Sequence, residues 1–486
     1  MSLCSYGRAF GFHAARDPES VAVVFGERLA TRGELERRSN RLARAYQALG
    51  VGEGDLVTVA LPNSVEFFEA CLAAWKLGAT PNPVSAVLPE LERRAIVETA
   101  DPALLVGVPD GDYPERASVP QGFAPDATLS DEPLPDRVAA SARAMTSGGS
   151  TGRPKVILDL TPAQCDPELP ENRMTAGGTT LVPGPLYHAG PFITAWQSLL
   201  CGRRVVLVAR FDPSECLALI EKHRVDWVLF VPTMMQRIWK LPEAEKNARD
   251  LSSLGTVMCS GAPSPSWLKR AWIEWIGPEK IHEAYGGSER IGGTAISGTE
   301  WLAHPGSVGR PTGGRKMKIL DAEGRACKPG EIGEVFMMPP GGQGSTYRYI
   351  GAEARATGEG WETLGDMGYM DEDGYLYLVD RKTDMIVTGG ANVYPAEVEA
   401  AIDSHPAVRS SAVIGLPDPD LGQRIHALVD APQAVEEQAL REHLAAHLAR
   451  YKQPRSFEWV DGPLRDDAGK LRRSALREAR VREEAE

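Results

Sequence analysis

Two hydrophobic periods alternate along this chain. In TRGELERRSNRLARAYQALG (Thr31 to Gly50), Leu35, Leu42, Ala43, Tyr46 and Leu49 fall on one helical face. Thr31 and Glu34 open it at capping-box spacing and Gly50 closes it, so the stretch predicts a helix. The apolar run Leu56–Leu61 predicts a strand, and Ser64 to Leu77 a helix. The alternation returns with a strand in RVVLVAR from Arg204, a helix from Pro213 to His223, a strand in DWVLFV and another from Leu254 to Cys259. Strands alternating with helices predict an α/β architecture with mostly parallel sheets.

Two stretches carry no period. Pro109 to Val138 is rich in Pro, Asp and Gly and reads as a surface connection, and DLTPAQCDPELPENR (Asp159 to Arg173) reads as a loop. The texture changes near Asp380. Beyond it the predicted elements are short: Met385–Thr388, a helix from Pro395 to Ser404, strands near Ser411 and Ile425, and a helix from Val435 to Arg450. A chain of 486 residues exceeds what one core usually organises. The expectation is a large multi-subdomain N-terminal domain, residues 1–379, and a small α+β C-terminal domain, residues 380–486.

Composition narrows the function classes. The net charge of −13 is spread, with no basic arm, which argues against a nucleic-acid partner. Cys4, Cys71, Cys165, Cys201, Cys216, Cys259 and Cys327 show no C-x-x-C spacing, so free thiols in a reducing compartment are expected. The first twenty residues lack a signal-peptide layout, and no apolar run is long enough to span a bilayer. A cytoplasmic protein without a membrane span is expected.

Four segments carry candidate chemistry, each with a plainer alternative. MTSGGSTGRPK (Met145 to Lys155) lacks the hydroxyl after its lysine that a P-loop has, but its glycines, hydroxyls and Lys155 suit phosphate. It also reads as a solvated Ser/Gly linker. HEAYGGSER (His282 to Arg290) offers Tyr285 to stack on a purine and Glu289 to hold a hard cation, or it is an ordinary loop. In WETLGDMGYM and the following DRKTDMIVTGG, Asp366 sits between Gly365 and Gly368, where a turn would present it to vicinal hydroxyls. Asp380 and Arg381 mark a hinge or a surface ion pair. PLRDDAGKLRRSAL turns at Asp-Ala-Gly and presents Lys470, which can stabilise charge developing at phosphorus or be one more exposed lysine.

In this order and spacing the four segments resemble the ANL superfamily of adenylating enzymes, which includes acyl-CoA synthetases, nonribosomal adenylation domains and luciferases. PLYHAGPF (Pro185 to Phe192), CSGAPSP (Cys259 to Pro265) and GSVGRP (Gly306 to Pro311) extend the resemblance over nearly the whole chain. It implies the ANL fold with a mobile C-terminal lid. It also implies that a carboxylic acid attacks the α-phosphate of MgATP and that CoA captures the adenylate.

By the same resemblance, Thr146, Ser147, Gly148, Gly149, Ser150, Thr151 and Lys155 correspond to the phosphate loop. Gly261, Ala262 and Pro263 line one face of adenine and Tyr285 the other, with Gly286 beside it. Ser288 touches the α-phosphate or the acyl carboxylate, Glu289 binds Mg²⁺, and Asp366 and Arg381 contact ribose. Lys470 is the adenylation lysine, His188 the gate near the carboxylate, and Gly389 and Gly390 approach the thiol once the lid has turned about Asp380.

Three departures stand out. The family loop T-S-G-[ST]-T-G-x-P-K-G gains Gly149 and has Val156 after the lysine. The downstream T-H pair is absent, and Thr383 stands where the hinge pattern has lysine. All the groups assigned to ATP remain. These departures, with SGTEWLAHPGSVGRP, resemble a bile-acid and steroid-type branch of acyl-CoA ligases, which implies a bulky alicyclic acid. Gly190, Gly286, Gly287, Gly292 and Gly293 would leave room for it, unless they only serve backbone turns. An alternative acceptor is a carrier protein or a separate thioesterifying partner. An alternative of another class is a non-catalytic nucleotide sensor, against which the retained Lys470, Glu289 and Asp366 argue. Whether the chain forms a homodimer stays open.

Overall fold

The five helices that the hydrophobic pattern predicts are all present, but the described residues hold thirteen. In the computed structural model, which describes residues 3–109, 111–148, 154–432, 435–466 and 469–483, the first long helix is Arg32–Ala48. Thr31 Oγ1 accepts from Glu34 N at 3.2 Å, while the Glu34 carboxylate pairs with Arg28 at 3.0 Å. The full reciprocal capping box forms elsewhere, between Ser297 and Glu300. The helix Val65–Lys76 is buried all round, so Lys76 needs partners and finds Glu36 at 2.8 Å and Asn40 at 2.5 Å.

The largest sheet has nine strands. In order they are Arg310–Pro311, Gly293–Ser297, Ile281–Gly286, Thr256–Cys259, Trp227–Phe230, Thr179–Val182, Arg204–Leu207, Val21–Phe25 and Arg28–Thr31. Its centre is parallel and its two ends are antiparallel. A second sheet is wholly parallel: Thr80–Pro83, Leu56–Val59, Leu104–Val106 and Ala117–Val119. Helices between these sheets share a core in which Trp75 and Trp196 meet edge-on at 4.5 Å beside Phe68 and Phe192.

Two further sheets are antiparallel. One joins Lys316–Leu320, Gly333–Met338, Asp366–Met370 and Leu376–Arg381; the other joins Tyr347–Ile350, Pro154–Asp159 and Ala144–Gly148. The stretch Pro109–Val138, expected to be a plain connection, supplies the strand Ala117–Val119. The loop Asp159–Arg173 supplies Gln164–Cys165, which pairs with Cys4–Ser5.

Toward the C-terminus, Ile386, Val393, Val398, Ile402, Val413, Leu440 and Leu444 form a core of their own. The expectation of short elements fails here, because Ser410–Asp418 and Gly422–Asp430 are nine-residue strands. Helices Pro395–Asp403 and Arg473–Glu483 both pack on the first of them. A strand covered on both faces reads as a continuous apolar run and loses the alternation that marks a strand.

Helix Pro232–Trp239 forms a seam between this part and the large sheets. Lys240, at its C-terminal end, donates to the backbone carbonyls of Asp403 (3.1 Å) and Val408. All seven cysteines are free. Among the described residues no helix is long and apolar enough to cross a membrane, and no three metal-ligating side chains cluster.

Candidate active site

Side chains from three sheets converge on one place. From the nine-stranded sheet, Tyr285 donates its hydroxyl to Asp366 Oδ2 at 2.6 Å. Asp366 lies opposite Arg381 across an antiparallel pair, and its Oδ1 is 3.4 Å from Arg381 Nε. Asp366 thus opens a strand, Asp366–Met370, and does not sit in the turn expected for it. The desolvated ring and the adjacent carboxylate raise the Tyr285 pKa, so the hydroxyl stays a donor.

From the third sheet come Lys155 and Tyr349. Tyr349 donates to Glu289 Oε1 at 2.6 Å, and Lys155 Nζ lies 3.6 Å from the same oxygen and 3.9 Å above the Tyr349 ring. The described ends of the MTSGGSTGRPK segment pair antiparallel, with Ser147 opposite Lys155 and Gly148 opposite Pro154. A solvated linker would not pair in this way. Asn82, in the parallel sheet, holds the incoming strand Ala144–Gly148 by donating to Ala144 O (2.7 Å) and Thr146 Oγ1 (3.1 Å). Gly149, Ser150 and Thr151 lie outside the described residues.

The remaining residues fall around this centre. Gly261 takes φ +92° just past the strand Thr256–Cys259, a conformation that favours glycine. Ser260 donates to Ala284 O at 2.7 Å, tying the strip Gly261–Ala262–Pro263 to the Tyr285 strand. Gly286 pairs with Gly293 across a six-residue connection, and Ser288 is half-buried in the turn before Glu289.

Those glycines do not open a roomy pocket. A Cβ on Gly292 would strike Met337, one on Gly287 would strike Leu364, and ones on Gly286 and Gly293 would crowd neighbouring backbone. Their smallness is taken up by neighbouring side chains and backbone, so the glycine argument for a wide alicyclic ring loses its ground. Gly190 meets only the methyls of Leu229, at 3.7 Å.

Lys470 comes within electrostatic range of this centre from the far end of the chain. Asp466 builds its turn, accepting from Gly469 N at 2.8 Å and, through Oδ1, from Lys470 N at 2.8 Å. Gly469, at φ +75°, sits so close to Thr233 that an added Cβ would overlap the Thr233 hydroxyl. Lys470 stays solvent-accessible, yet the surrounding protein lowers its pKa, and Arg381 lowers it further while Asp466 and Glu289 pull it back up.

His188 precedes the helix Ala189–Leu200, and its buried Nε2 has no hydrogen-bond partner among the described residues. Burial pushes its pKa down to about 3, helped by Lys470, so it is neutral at ordinary pH. Burial also lowers the Lys155 pKa, with Glu289 opposing and Arg381 adding to the depression.

Gly389 and Gly390 are not gathered in. They form an exposed two-residue turn with φ of +55° and +79°, and Gly389 N donates to Leu421 O at 2.9 Å. Asp380 is buried and not a surface ion pair. It accepts from Ala396 N (2.8 Å) and Arg381 N (2.7 Å), with Arg473 4.0 Å away.

Two cations (Lys155 and Arg381) and two carboxylates (Glu289 and Asp366) therefore gather here, with Lys470 within electrostatic range of Arg381 and Glu289. Such a set suits a ligand with a polyphosphate and a vicinal diol. Glu289 is one hard carboxylate, oriented by Tyr349 and beside Lys155. That donor set fits Mg²⁺, which is commonly held by one or two carboxylates plus substrate phosphates. It does not fit a metal caged by protein ligands alone.

Comparison with known proteins agrees with this geometry. The model of the AMP-binding enzyme family matches residues 10–344, and that of the AMP-binding enzyme C-terminal domain matches 397–470. The chain belongs to the AMP-binding enzyme family. Within that family it is an enzyme of the ANL type, similar to acyl-CoA synthetases and ligases.

It is 33% identical to a feruloyl-CoA synthase of an Amycolatopsis species, covering 96% of each chain. It is 30% identical to the fatty acid–[acyl-carrier-protein] ligase ScoC of Streptomyces coeruleorubidus, over 96% of this chain and 95% of that one. Among solved structures, o-succinylbenzoate CoA synthetase of Bacillus subtilis with its acyl-adenylate intermediate superposes with a TM-score of 0.83 at 26% identity, over 98% of each chain. The same enzyme has also been solved with ATP and magnesium ion.

Residues that no sequence motif marks join the candidate site of this AMP-binding enzyme. Tyr349 bridges Lys155 and Glu289, Thr346 Oγ1 donates to Glu289 O at 2.9 Å, and Thr233 receives the Lys470 turn. YRYI (Tyr347–Ile350) shows a strand-like alternation, but nothing in it reveals which carboxylate its tyrosines would meet. A cavity of 690 Å³ lined by Arg210, Lys240 and Pro406–Arg409 contains none of the site residues. Two of its four cations, Lys240 and Arg409, already serve backbone carbonyls and Asp430, and no ligand is assigned to it.

Proposed function

We propose that this enzyme activates a carboxylic acid with MgATP, forming an acyl-adenylate and pyrophosphate, and then transfers the acyl group to the thiol of CoA. The observation that carries this is that Lys470, from the C-terminal part, lies within electrostatic range of Glu289 and His188 of the large part and of Arg381 at the boundary between the two. In this reading Thr146 to Thr151 and Lys155 hold the β- and γ-phosphates. Tyr285 and the Gly261–Pro263 strip sandwich adenine, and Asp366 and Arg381 take the ribose hydroxyls. Mg²⁺ held by Glu289 would neutralise phosphate charge.

Attack of the carboxylate oxygen on the α-phosphorus draws negative charge onto the phosphate oxygens. Lys470 bridges the carboxylate and the α-phosphate and is aimed at that charge before it forms. A neutral His188 beside the carboxylate adds no second positive charge to compete with Lys470. The domain boundary falls near Asp380. Rotation there withdraws Lys470 and brings Gly389 and Gly390 to the thiol path, the economy of a fold that runs two half-reactions at one site.

For the acid we propose a ring-bearing substrate. The sequence branch favours an alicyclic, steroid- or terpenoid-like acid. The feruloyl-CoA synthase and the o-succinylbenzoate enzyme favour an aryl acid, and with the glycine argument gone the aryl class is the first to test. The test is acid-dependent ATP–pyrophosphate exchange across aryl, fatty, steroidal and terpenoid acids, with CoA thioester detected by mass. Exchange without any thioester would remove CoA as acceptor and favour a second reading, transfer to a carrier protein. That reading is supported by the similarity to an acyl-carrier-protein ligase.

A further inference from the structure

Arg290 follows Glu289 directly and takes φ +57°, a left-handed conformation that L residues with long side chains rarely adopt. Its N–H donates to Gly287 O at 3.0 Å, closing the turn that carries Ser288 and Glu289. Its guanidinium does not point at the nucleotide residues. Nη1 lies 3.3 and 3.4 Å from the two oxygens of Asp159 and donates to Thr161 Oγ1 at 2.7 Å.

Asp159 is 1% exposed and is gripped from its other side by Arg143 at 2.6 Å; Thr161 N also donates to its Oδ1, at 2.9 Å. Asp159 ends the strand Pro154–Asp159, on which Lys155 sits. One residue further on, Leu160 N donates to Thr346 O at 3.0 Å, and Thr346 holds the Glu289 carbonyl. Strand and turn are thus stitched together on both sides of Glu289.

We infer that Arg290 is a positioning residue for the metal-binding carboxylate, clamping the Glu289 turn to the strand that leaves the phosphate loop so that Lys155 and Glu289 face MgATP as one rigid frame. The inference rests on the reading of Glu289 as the Mg²⁺ carboxylate. Without the clamp the turn keeps only the Thr346 and Tyr349 contacts and its own backbone hydrogen bond to hold its left-handed residue. Glu289 then samples orientations that a bound metal must first narrow, and the metal binds more weakly.

Arg290 is also the safe place to perturb. Its side chain is 38% exposed, and its loss leaves Asp159 still paired with the buried Arg143. The test is calorimetric binding of ATP, without acid, over a series of Mg²⁺ concentrations, for the parent chain, Arg290→Ala and Arg290→Lys. In Arg290→Ala the Mg²⁺ concentration at half-maximal ATP binding rises about tenfold, the usual size of effect when the partners that orient a metal ligand are lost. ATP binding in EDTA is unchanged, and Arg290→Lys falls between the two.

Thr161→Val, which removes one arm of the clamp, shifts the midpoint the same way. Combined with Arg290→Ala it adds less than its separate effect. An Arg290→Ala midpoint equal to the parent's, with an unchanged thermal transition, would overturn the inference. So would equal losses with and without Mg²⁺, which would mark a general structural role. A parent chain that binds ATP with no dependence on Mg²⁺ would instead fail the reading of Glu289, and a chain that binds no ATP would fail the nucleotide site itself.

Discussion

Tyr285→Phe removes a single atom at the centre of the site and keeps the ring proposed to cover adenine. The lost contact is the 2.6 Å hydrogen bond to Asp366 Oδ2. A hydrogen bond to a charged group is worth about 1.5–3 kcal/mol. The low end applies here, because Arg381 at 3.4 Å still restrains Oδ1 and water can reach the vacated oxygen. About 1.4 kcal/mol corresponds to a tenfold change in equilibrium constant.

The carboxylate loses its fixed orientation toward the ribose before the nucleotide arrives, so the effect falls on binding. The expected result is an ATP KM raised about tenfold with kcat nearly unchanged, the signature of an interaction made equally in ground and transition states. Pyrophosphate exchange at saturating acid and varied ATP measures it, with thermal unfolding as a control for folding. An unchanged KM for ATP in a normally folded variant would refute the placement of Asp366 as an oriented ribose ligand. A fall confined to kcat would refute it too.

Two further outcomes follow from other parts of the structure. Gly469→Ala places a Cβ against the Thr233 hydroxyl at a left-handed φ. It should therefore push the Lys470 turn off the helix Pro232–Trp239 and lower exchange by about tenfold or more, with the thermal transition unmoved; parent-like exchange would contradict the packing. Asp403 is wholly buried and its pKa is raised to about 7 by that burial, against the lowering pull of Ser411 and Arg465. The unfolded chain sheds this proton near the ordinary carboxylate value, so stability is full below about pH 4 and is lost progressively as pH rises to about 7. Asp403→Asn should therefore be more stable than the parent at pH 8 and indistinguishable near pH 4 in urea unfolding. A constant difference across that range would rule the titration out.

How far the sequence was legible follows from what each residue depends on. Helices such as Arg32–Ala48 and Pro213–His223 were readable because caps and periodicity are local. The order of the chemistry-bearing segments was readable because their spacing repeats a family pattern. What escaped was pairing across sequence. Tyr349 meets Glu289 from sixty positions away, and Asp366 faces Arg381 because two strands pair, whereas its flanking glycines pointed to a turn.

Buried strands escaped for a related reason. Ser410–Asp418 is covered on both faces, so its residues lost the alternation that would have announced its length. The glycines after Tyr285 misled in the opposite direction. Smallness in a sequence does not say whether a ligand or another backbone fills the space, and here Met337 and Leu364 fill it.

The central claim is that a cation from the C-terminal part meets the reacting phosphorus in one half-reaction and is idle in the other. Lys470→Ala tests it by splitting the two. Acid-dependent ATP–pyrophosphate exchange should fall about a thousandfold, within the range seen when an oriented charge-stabilising donor is lost. CoA thioester formation from supplied acyl-adenylate should stay near the parent rate. Retained exchange, or an equal fall in both half-reactions, would contradict the account.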